Sequence, residues 1–346
     1  MRQQQSKHYL DLYWFSSYPD LYWISSKSCN DFWAKMVKRN FLVFPKLYLK
    51  PIASWNKILP GGAIHRNPIP TFPDAPYNYG GLLAKVQVTM SFLPDEDAEA
   101  KAWLRRQGWQ EGESFVCMQV RDSSFKGESG GQGGITYRNS DIATYVTAAE
   151  WLAEQGVWVL RMGKKMAKPI PTNHPRIIDY AFHPEKSDFL DAWLFAHCDF
   201  CVTTGSGPDA ISAIYRRPIL VLNFLPLYLL SWCNAVHVPK KLVWRKSGMP
   251  LTCREYLDNH GTVDYLNYAG IQWIDLTSEE ILAAVQEGWQ RLKGTWVDTE
   301  SYLDRHHQFW EIYRSHPDFP TYHSWVHPES RMAATWLESK GDAFLE

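Results

Sequence analysis

The residues best suited to chemistry lie between Asp199 and Asn223, in the sequence DFCVTTGSGPDAISAIYRRPILVLN. An apolar run ends in Thr203-Thr204-Gly205-Ser206-Gly207, and a helical pattern and a second apolar run follow. This order predicts strand, glycine turn, helix and strand, the unit of parallel α/β sheets. Such a turn aims backbone N–H groups at whatever lies beyond the strand, where they attract phosphate. We therefore expect Thr204, Gly205, Ser206 and Gly207 to bind a phosphorylated small molecule; a tight turn without a ligand is the structural alternative.

Three arginines could add positive charge to such a site. Arg121 ends the first predicted strand, and the carboxyl ends of strands are where open α/β sheets bind ligands. Arg138 follows the glycine-rich segment 127–134, whose composition favours a loop that adjusts to a ligand, and Arg161 closes the next strand. An arginine can bind phosphate through two parallel hydrogen bonds. We predict that these arginines and Ser123 contact the phosphates, although Arg121 could instead only brace the loop by pairing with Asp122.

The candidates for a general base are an aspartate and a histidine. Asp122 is our first choice because it follows Arg121 directly, and His65, in the loop 61–67, is the second. Asp74 and Glu255 are the remaining candidates. No HExxH, GxSxG or P-loop sequence occurs and no metal-ligand array is visible, so we predict neither a metal site nor a required cofactor.

Composition and the predicted pattern of strands and helices divide the chain into three parts. Residues 1–111 are aromatic and proline-rich, with a short helix from Asn30 to Lys38, loop from 51 to 76, and a helix from Pro94 to about Gly108. Residues 112–295 alternate strand and helix, which predicts a parallel α/β domain. Residues 296–346 are predicted to be helices that pack across both domains.

Composition narrows the function classes. The 346 residues carry a net charge of −1 and no aromatic-studded basic stripe was found, so nucleic acid is not expected as a partner. Cys198 and Cys201 form a CxxC sequence inside a predicted buried region, and we interpret the six cysteines as reduced core thiols. The N-terminus lacks a signal-peptide layout, which indicates a cytoplasmic protein. Residues 218–239 carry no Asp, Glu, Lys or Arg, and an apolar loop touching a membrane or covering a lipid-linked substrate is the minority interpretation.

Several motifs in this order resemble a family of bacterial glycosyltransferases encoded in surface-polysaccharide gene clusters. The resemblance covers about 115–260 and rests on these segments: VRDSS (120–124), YRNSDIATY (137–145), RMG (161–163), IIDYA (177–181), SDFLD (187–191), TTGSG (203–207), RRPILVLN (216–223), PKK (239–241) and LTCRE (251–255). The arginine at a strand end is more distantly similar to the donor-phosphate arginine of fucosyltransferase-like enzymes.

The resemblance implies a GT-B-like architecture, in which two Rossmann-like domains face a cleft. The C-terminal domain would hold a nucleotide-sugar donor, and the short N-terminal domain would lie on the acceptor side. The implied reaction is metal-independent transfer of a hexosyl or related sugar to a glycan or lipid-linked acceptor, in polysaccharide or lipopolysaccharide biosynthesis. The enzyme would be cytoplasmic, or peripheral on the inner face of the membrane. A nucleotide-sugar epimerase or hydrolase, and a non-catalytic nucleotide- or glycan-binding subunit of a synthesis complex, are the alternatives.

Overall fold

The described part of the protein is an α/β structure built on one large parallel sheet. The computed structural model describes residues 21–22, 29–55, 58, 87–88, 90–125, 138–227, 230, 234–259, 269–319 and 326–346. The predicted α/β class and the parallel sheet are confirmed. Across these residues, none of the helices combines the length and the apolar character needed to cross a bilayer.

Seven strands form the sheet, in the order β11-β8-β7-β6-β3-β4-β5, and every pairing in it is parallel. Their bounds are β3 Phe115–Gln119, β4 Trp158–Arg161, β5 Ile177–Ile178, β6 Phe200–Thr203, β7 Ile219–Phe224, β8 Ala235–Pro239 and β11 Arg331–Met332. Two small pairs lie outside it: β1 Leu21–Tyr22 with β2 Leu42–Val43, and β9 Lys241–Trp244 with β10 Ile271–Ile274.

Helices cover both faces of the sheet. Those described are α1 Asp31–Asn40, α2 Lys46–Trp55, α3 Pro94–Arg106, α4 Val146–Glu154, α5 Asp188–His197, α6 Asp209–Ile214, α7 Cys253–Asp258, α8 Ser278–Lys293, α9 Glu300–Ser315 and α10 Ala334–Ser339. One buried core joins the sheet to α4, α8, α9 and α10, and a second core joins it to α3, α5 and α6. The connections between parallel strands place helices on both faces of the sheet, so its strands are buried on both sides.

The central strand shows how the sequence produces the two cores. Val116 and Met118 lie in the first core, whereas Phe115 and Cys117 lie in the second. Successive side chains of a strand point to opposite faces, so an all-apolar run such as FVCMQ is buried twice. Gln119 is the polar residue of this run, and it lies at the carboxyl end.

The N-terminal residues that the structure describes pack onto the sheet domain. The α1 cap residue Asn30 donates a side-chain hydrogen bond to the Asp188 carbonyl at 2.8 Å, and the Phe32 and Phe189 rings meet edge to face. At the other end of the chain, β11 joins the sheet and α10 packs on α8. The predicted division at 111 and 295, and with it the second domain of a GT-B architecture, stays a prediction.

One expectation about local structure was wrong, and the composition of a second segment has a structural explanation. Residues 51–76 were predicted to be loop because they contain prolines, but α2 continues through Pro51 to Trp55. A proline removes one helix hydrogen bond, and here the buried Leu49 anchors the preceding turn. The uncharged stretch 218–239 is buried wherever side-chain exposure is described, apart from partly exposed Pro218, Val221 and Asn234, and it contains β7 and β8. Its lack of charge is therefore explained by the core.

Candidate functional site

The candidate site lies where the strand order of the sheet reverses. The chain runs from β3 to β4 and β5 on one side, and it then returns to place β6 and β7 on the other side of β3. The segments that follow β3 and β6 therefore lead to helices on opposite faces of the sheet. Open α/β sheets bind ligands in a crevice at the carboxyl ends of the strands at such a point. We call this the switch-point crevice and define it by residues 119–124, 138–140 and 203–209.

Hydrogen bonds join the two sides of the switch-point crevice. The Arg121 backbone N–H donates to Thr204 Oγ1 at 3.1 Å, and the Thr204 N–H donates to the Gln119 carbonyl at 3.2 Å. The Gln119 side-chain Nε2 donates to Ser206 Oγ at 3.2 Å. The structure thus brings the Arg121 loop and the predicted glycine turn together, as the sequence analysis expected.

Three backbone N–H groups of the glycine turn, however, are already used inside the protein: those of Thr204, Gly205 and Ser206. The Gly205 N–H donates to Thr203 Oγ1 at 3.1 Å, and the Ser206 N–H donates to Asp209 Oδ2 at 2.7 Å. Helix α6 has 6 residues, too short to add a strong dipole. Gly205 is explained by its φ of 77°, which glycine adopts without strain. The expectation of free amides at Thr204, Gly205 and Ser206 was wrong.

The carboxylate of Asp209 binds an N–H group of the turn that was predicted to bind a phosphate. The Asp209 Oδ2 atom accepts the Ser206 N–H and also the Thr203 hydroxyl at 2.9 Å. Burial raises the pKa of Asp209, while these hydrogen bonds and the nearby positive charge of Arg138 act in the opposite direction. Arg138 therefore lies close enough to the turn to act on it electrostatically, and any anion bound here must be held mainly by side chains.

Asp122 braces two loops. Its Oδ1 accepts the Ser124 N–H at 2.9 Å and its Oδ2 accepts the Ala167 N–H at 2.7 Å. Each carboxylate oxygen has two lone pairs, so both oxygens keep one acceptor position. The carboxylate is thereby fixed between the loops that follow β3 and β4.

Arg161 is completely buried and lies in an ion pair. Its guanidinium contacts Asp179 Oδ1 at 3.4 Å and the Lys168 carbonyl at 3.2 Å, and it lies over the Phe182 ring. Burial lowers the pKa of Arg161, while the charges of Asp179 and Asp122 raise it. These contacts hold the side chain on the β4–β5 side, so the structure gives Arg161 a structural partner and a phosphate role stays a prediction.

The other predicted residues differ in their surroundings. Ser123 is exposed in the 3-10 turn Ser123–Phe125, Thr204 is fully buried, and Gly207 is exposed at the mouth of the turn. Glu255 forms the capping box of α7 with Thr252, and its Oε1 accepts the Trp244 indole N–H at 3.2 Å. His65 and Asp74 lie outside the described residues.

Sequence reasoning missed a polar group that borders the switch-point crevice. The buried Lys240 pairs with Asp275 and donates to the Asn139 carbonyl at 2.9 Å. Asp275 also accepts the Ser140 hydroxyl at 3.3 Å, and the Ser140 N–H donates to the Arg121 carbonyl at 2.9 Å. Burial lowers the pKa of Lys240, and Asp275 opposes that shift. This group fixes the backbone on either side of Arg138 and Arg121.

Two side-chain oxygens in this region are buried without a protein partner. They are Gln119 Oε1 and Asn139 Oδ1, whose residues lie two positions before Arg121 and directly after Arg138 in the chain. A buried acceptor that is left unpaired costs about 1–3 kcal/mol, so native proteins leave few of them. A glutamine at the end of an apolar strand was the sequence signal that could have identified this position.

Titratable clusters elsewhere in the described residues are structural. In those residues, no group of three or more His, Cys, Asp or Glu side chains is arranged to hold a metal ion. Cys117, Cys198, Cys201 and Cys253 are buried and form no disulfide, as predicted, but Cys29 is exposed, so the prediction of a core thiol was wrong for that residue. Burial raises the pKa of Cys253 to about 12, so this thiol stays protonated at neutral pH.

Comparisons with known proteins give little further information. No family model matches the chain, and no curated protein matches it. Among solved structures, the glycosyl transferase family 9 protein from Veillonella parvula is similar to it with a TM-score of 0.31 and 11% identity. The similar region covers 43% of this chain and 42% of that protein. Similarity of this extent assigns neither a fold nor an activity.

Proposed function

We propose that the protein is a glycosyltransferase that binds a nucleotide-sugar donor in the switch-point crevice. The observation that carries this proposal is the position of Arg121 and Arg138, one from the loop after β3 and the other beside the β6 turn, at the point where the strand order reverses. Two arginines at such a crevice suit a diphosphate, because guanidinium groups bind its oxygens in pairs.

The same two arginines suit the chemistry of transfer. When the acceptor hydroxyl attacks the sugar C1, the bond from C1 to the phosphate oxygen breaks and the nucleoside diphosphate leaves with added negative charge. Fixed cations stabilise that charge as it develops. The acceptor proton must pass to a base, and we propose Asp122, whose carboxylate is held in place by two main-chain N–H groups.

The proposed substrates are a nucleotide-sugar and a glycan or lipid-linked acceptor. The motifs that resemble surface-polysaccharide glycosyltransferases support this choice, and they include both Arg121 and Arg138. The proposal needs no bound metal, because the arginines supply the positive charge. The family resemblance also supports a cytoplasmic enzyme that works at the inner face of the membrane.

The test is a comparison of arginine variants in nucleotide binding. Thermal shifts are measured with UDP, GDP, CMP, ADP and dTDP, since a ligand of the native state raises the melting temperature. Arg121→Ala and Arg138→Ala should each weaken binding of the active nucleotide by about tenfold to a hundredfold, the usual worth of charged hydrogen bonds. Arg254→Ala, at an exposed arginine of α7, is the matched control and should bind like wild type.

Turnover then separates transfer from the alternatives. Asp122→Asn should keep donor binding and lose transfer, and wild type without acceptor should release little free sugar. Rapid release of free sugar would make the protein a hydrolase, and binding without turnover of any donor would make it a non-catalytic subunit. If no nucleotide shifts the melting temperature, or if Arg121→Ala binds as wild type does, the proposed site is wrong.

A further inference from the structure

Helix α2 presents an apolar face to solvent. Leu47, Tyr48, Ile52 and Trp55 have 77%, 65%, 50% and 67% of their surface exposed, whereas Leu49 has 7% exposed. Because a helix advances about 100° per residue, the four exposed side chains fall within an arc of about 140°. Folded proteins rarely leave such a contiguous apolar patch uncovered, so the arc indicates a contact surface.

Positive charge borders this apolar arc. Lys46 and Lys50 are exposed on α2 beside Leu47, at the edge of the arc. Residues 32–73 contain no Asp or Glu, although the whole chain has a net charge of −1. Their basic residues are Lys35, Lys38, Arg39, Lys46, Lys50, Lys57 and Arg66, of which Arg39 is already paired with Glu96. A partner that fits this segment must offer both negative charge and an apolar interior.

We propose that α2 lies flat on an anionic lipid bilayer. The apolar arc would enter the boundary between headgroups and acyl chains, while Lys46 and Lys50 would lie against lipid phosphates. Amphipathic helices with Trp and Leu on one side and Lys beside them bind membrane interfaces in this way. Each lysine near an anionic surface adds about 1 kcal/mol of attraction, which is about a fivefold gain in affinity.

The charges disfavour the other occupants of this surface. A second copy of the chain would bring an equally basic surface against it in a two-fold interface, and like charges would repel. Residues 1–28 and 59–86 of the same chain each contain one more basic than acidic residue, so neither segment has a net negative charge. Nucleic acid offers phosphates but no apolar interior for Leu47 and Ile52. A lipid surface supplies both features.

The experiment is sedimentation of the full chain with vesicles. Vesicles of phosphatidylcholine alone are compared with vesicles that contain about one third phosphatidylglycerol, at low and high salt. We expect binding to the anionic vesicles and weaker binding at high salt, because ions screen the lysines. This measurement needs no donor or acceptor, so its outcome is independent of the proposed glycosyltransferase activity.

Variants locate the binding surface. Leu47→Ser with Trp55→Ser should reduce vesicle binding by at least about tenfold, because these side chains supply most of the exposed apolar surface. Lys46→Gln with Lys50→Gln should reduce it by about fivefold for each lysine. The matched controls are Val297→Ser with Leu303→Ser, at side chains that are 83% and 51% exposed elsewhere, and Lys246→Gln; these should bind as wild type does.

Any of four results would overturn the proposal. The first two are that wild type does not bind anionic vesicles, and that the α2 variants bind them as tightly as wild type does. The third is a wild-type dimer that binds no vesicles and that dissociates in the Leu47→Ser, Trp55→Ser variant. The fourth is tighter binding to a single-stranded oligonucleotide than to vesicles. A melting temperature lowered by several degrees in that variant, without vesicle binding by wild type, would show instead that α2 packs against its own chain.

Discussion

Two polar groups of this protein each contain a carboxylate that accepts main-chain N–H groups, but the groups differ in how completely their buried atoms are paired. The first joins α8 to α10, and we call it the Glu287 clamp: the fully buried Glu287 accepts the Ala334 and Thr335 N–H groups at 2.9 and 3.2 Å. It also accepts Arg291 Nε at 2.9 Å, and Arg291 continues to Asp298. The clamp is satisfied within the chain.

The second group, the switch-point crevice, is paired only in part. The Asp209 carboxylate accepts the Ser206 N–H of the turn, but Gln119 Oε1 and Asn139 Oδ1 lack protein partners. A buried charge with all its hydrogen bonds made contributes to the fold, whereas an unpaired buried acceptor costs free energy that a hydrogen bond from a bound ligand can recover. Under the proposed function, the two unpaired oxygens of the crevice would accept hydrogen bonds from the ligand, whereas the clamp has no such open positions.

The largest expected effect comes from breaking the clamp. Glu287→Ala leaves the Arg291 guanidinium short of a partner and exposes the α10 N-terminus, so the free energy of unfolding should fall by about 3–5 kcal/mol. Urea unfolding measures this change, with the exposed Glu300→Ala as the control. A loss below about 0.5 kcal/mol, as expected for a surface residue, would show that the clamp is not structural.

An unpaired buried atom outside the crevice should only lower the stability of the fold. Asp191 Oδ1 is buried without a described partner, and burial raises the pKa of Asp191 to about 6 from 3.8. The folded state then binds the proton more tightly than the unfolded state, so wild type should lose stability as pH rises from about 4 through 6.

Asp191→Asn removes that loss. The variant should gain up to about 3 kcal/mol over wild type at pH 7, with the gain vanishing below pH 4, as measured by urea unfolding across this range. A difference between variant and wild type that does not depend on pH would mean that the carboxyl is ionised without penalty in the fold. Tyr180 faces the same carboxyl and stays protonated throughout, because burial raises its pKa.

The smallest predicted effect concerns the charge at the crevice itself. Asp209→Asn removes the negative charge beside Arg138 while keeping an oxygen that can accept the Ser206 N–H. Phosphate ligands should then bind up to about tenfold more tightly, because one repulsive charge is gone. Calorimetry measures this affinity with the nucleotide that raises the melting temperature of wild type. The control is Asp304→Asn, on the exposed side of α9. Unchanged or weaker binding would place the anion away from the β6 turn.

Much of the sheet domain was predictable because its signals are local. The apolar run that ends at Arg121 and the second run before Asn223 became β3 and β7. The local signal is equally clear at α5, where the N-cap Ser187 accepts the Leu190 N–H. The strands β8 and β11 were not predicted. Residues 235–239 were interpreted only as part of an apolar loop, and β11 is two residues long. Neither segment has a periodicity that separates strand from loop.

The candidate site was predictable only in its position. Glycine and arginine after apolar runs indicated the carboxyl edge of the sheet, and the structure places Arg121 beside the β6 turn. The use of Ser206 N–H by Asp209 was not anticipated, although the two residues are three apart. Gly-Ser-Gly before a helix predicts a turn equally well whether its amides face a ligand or a carboxylate from the same chain.

The sequence by itself determined which segments form strands and helices and where polar side chains follow them, because periodicity and capping act over a few residues. The tertiary structure alone decided which of those polar atoms are already paired. Lys240 reaches Asn139 across 101 residues and Asp275 across 35, and these contacts depend on how the strands pack. A hydrogen bond forms only where two atoms approach within about 3 Å, and sequence spacing does not set that distance between remote segments.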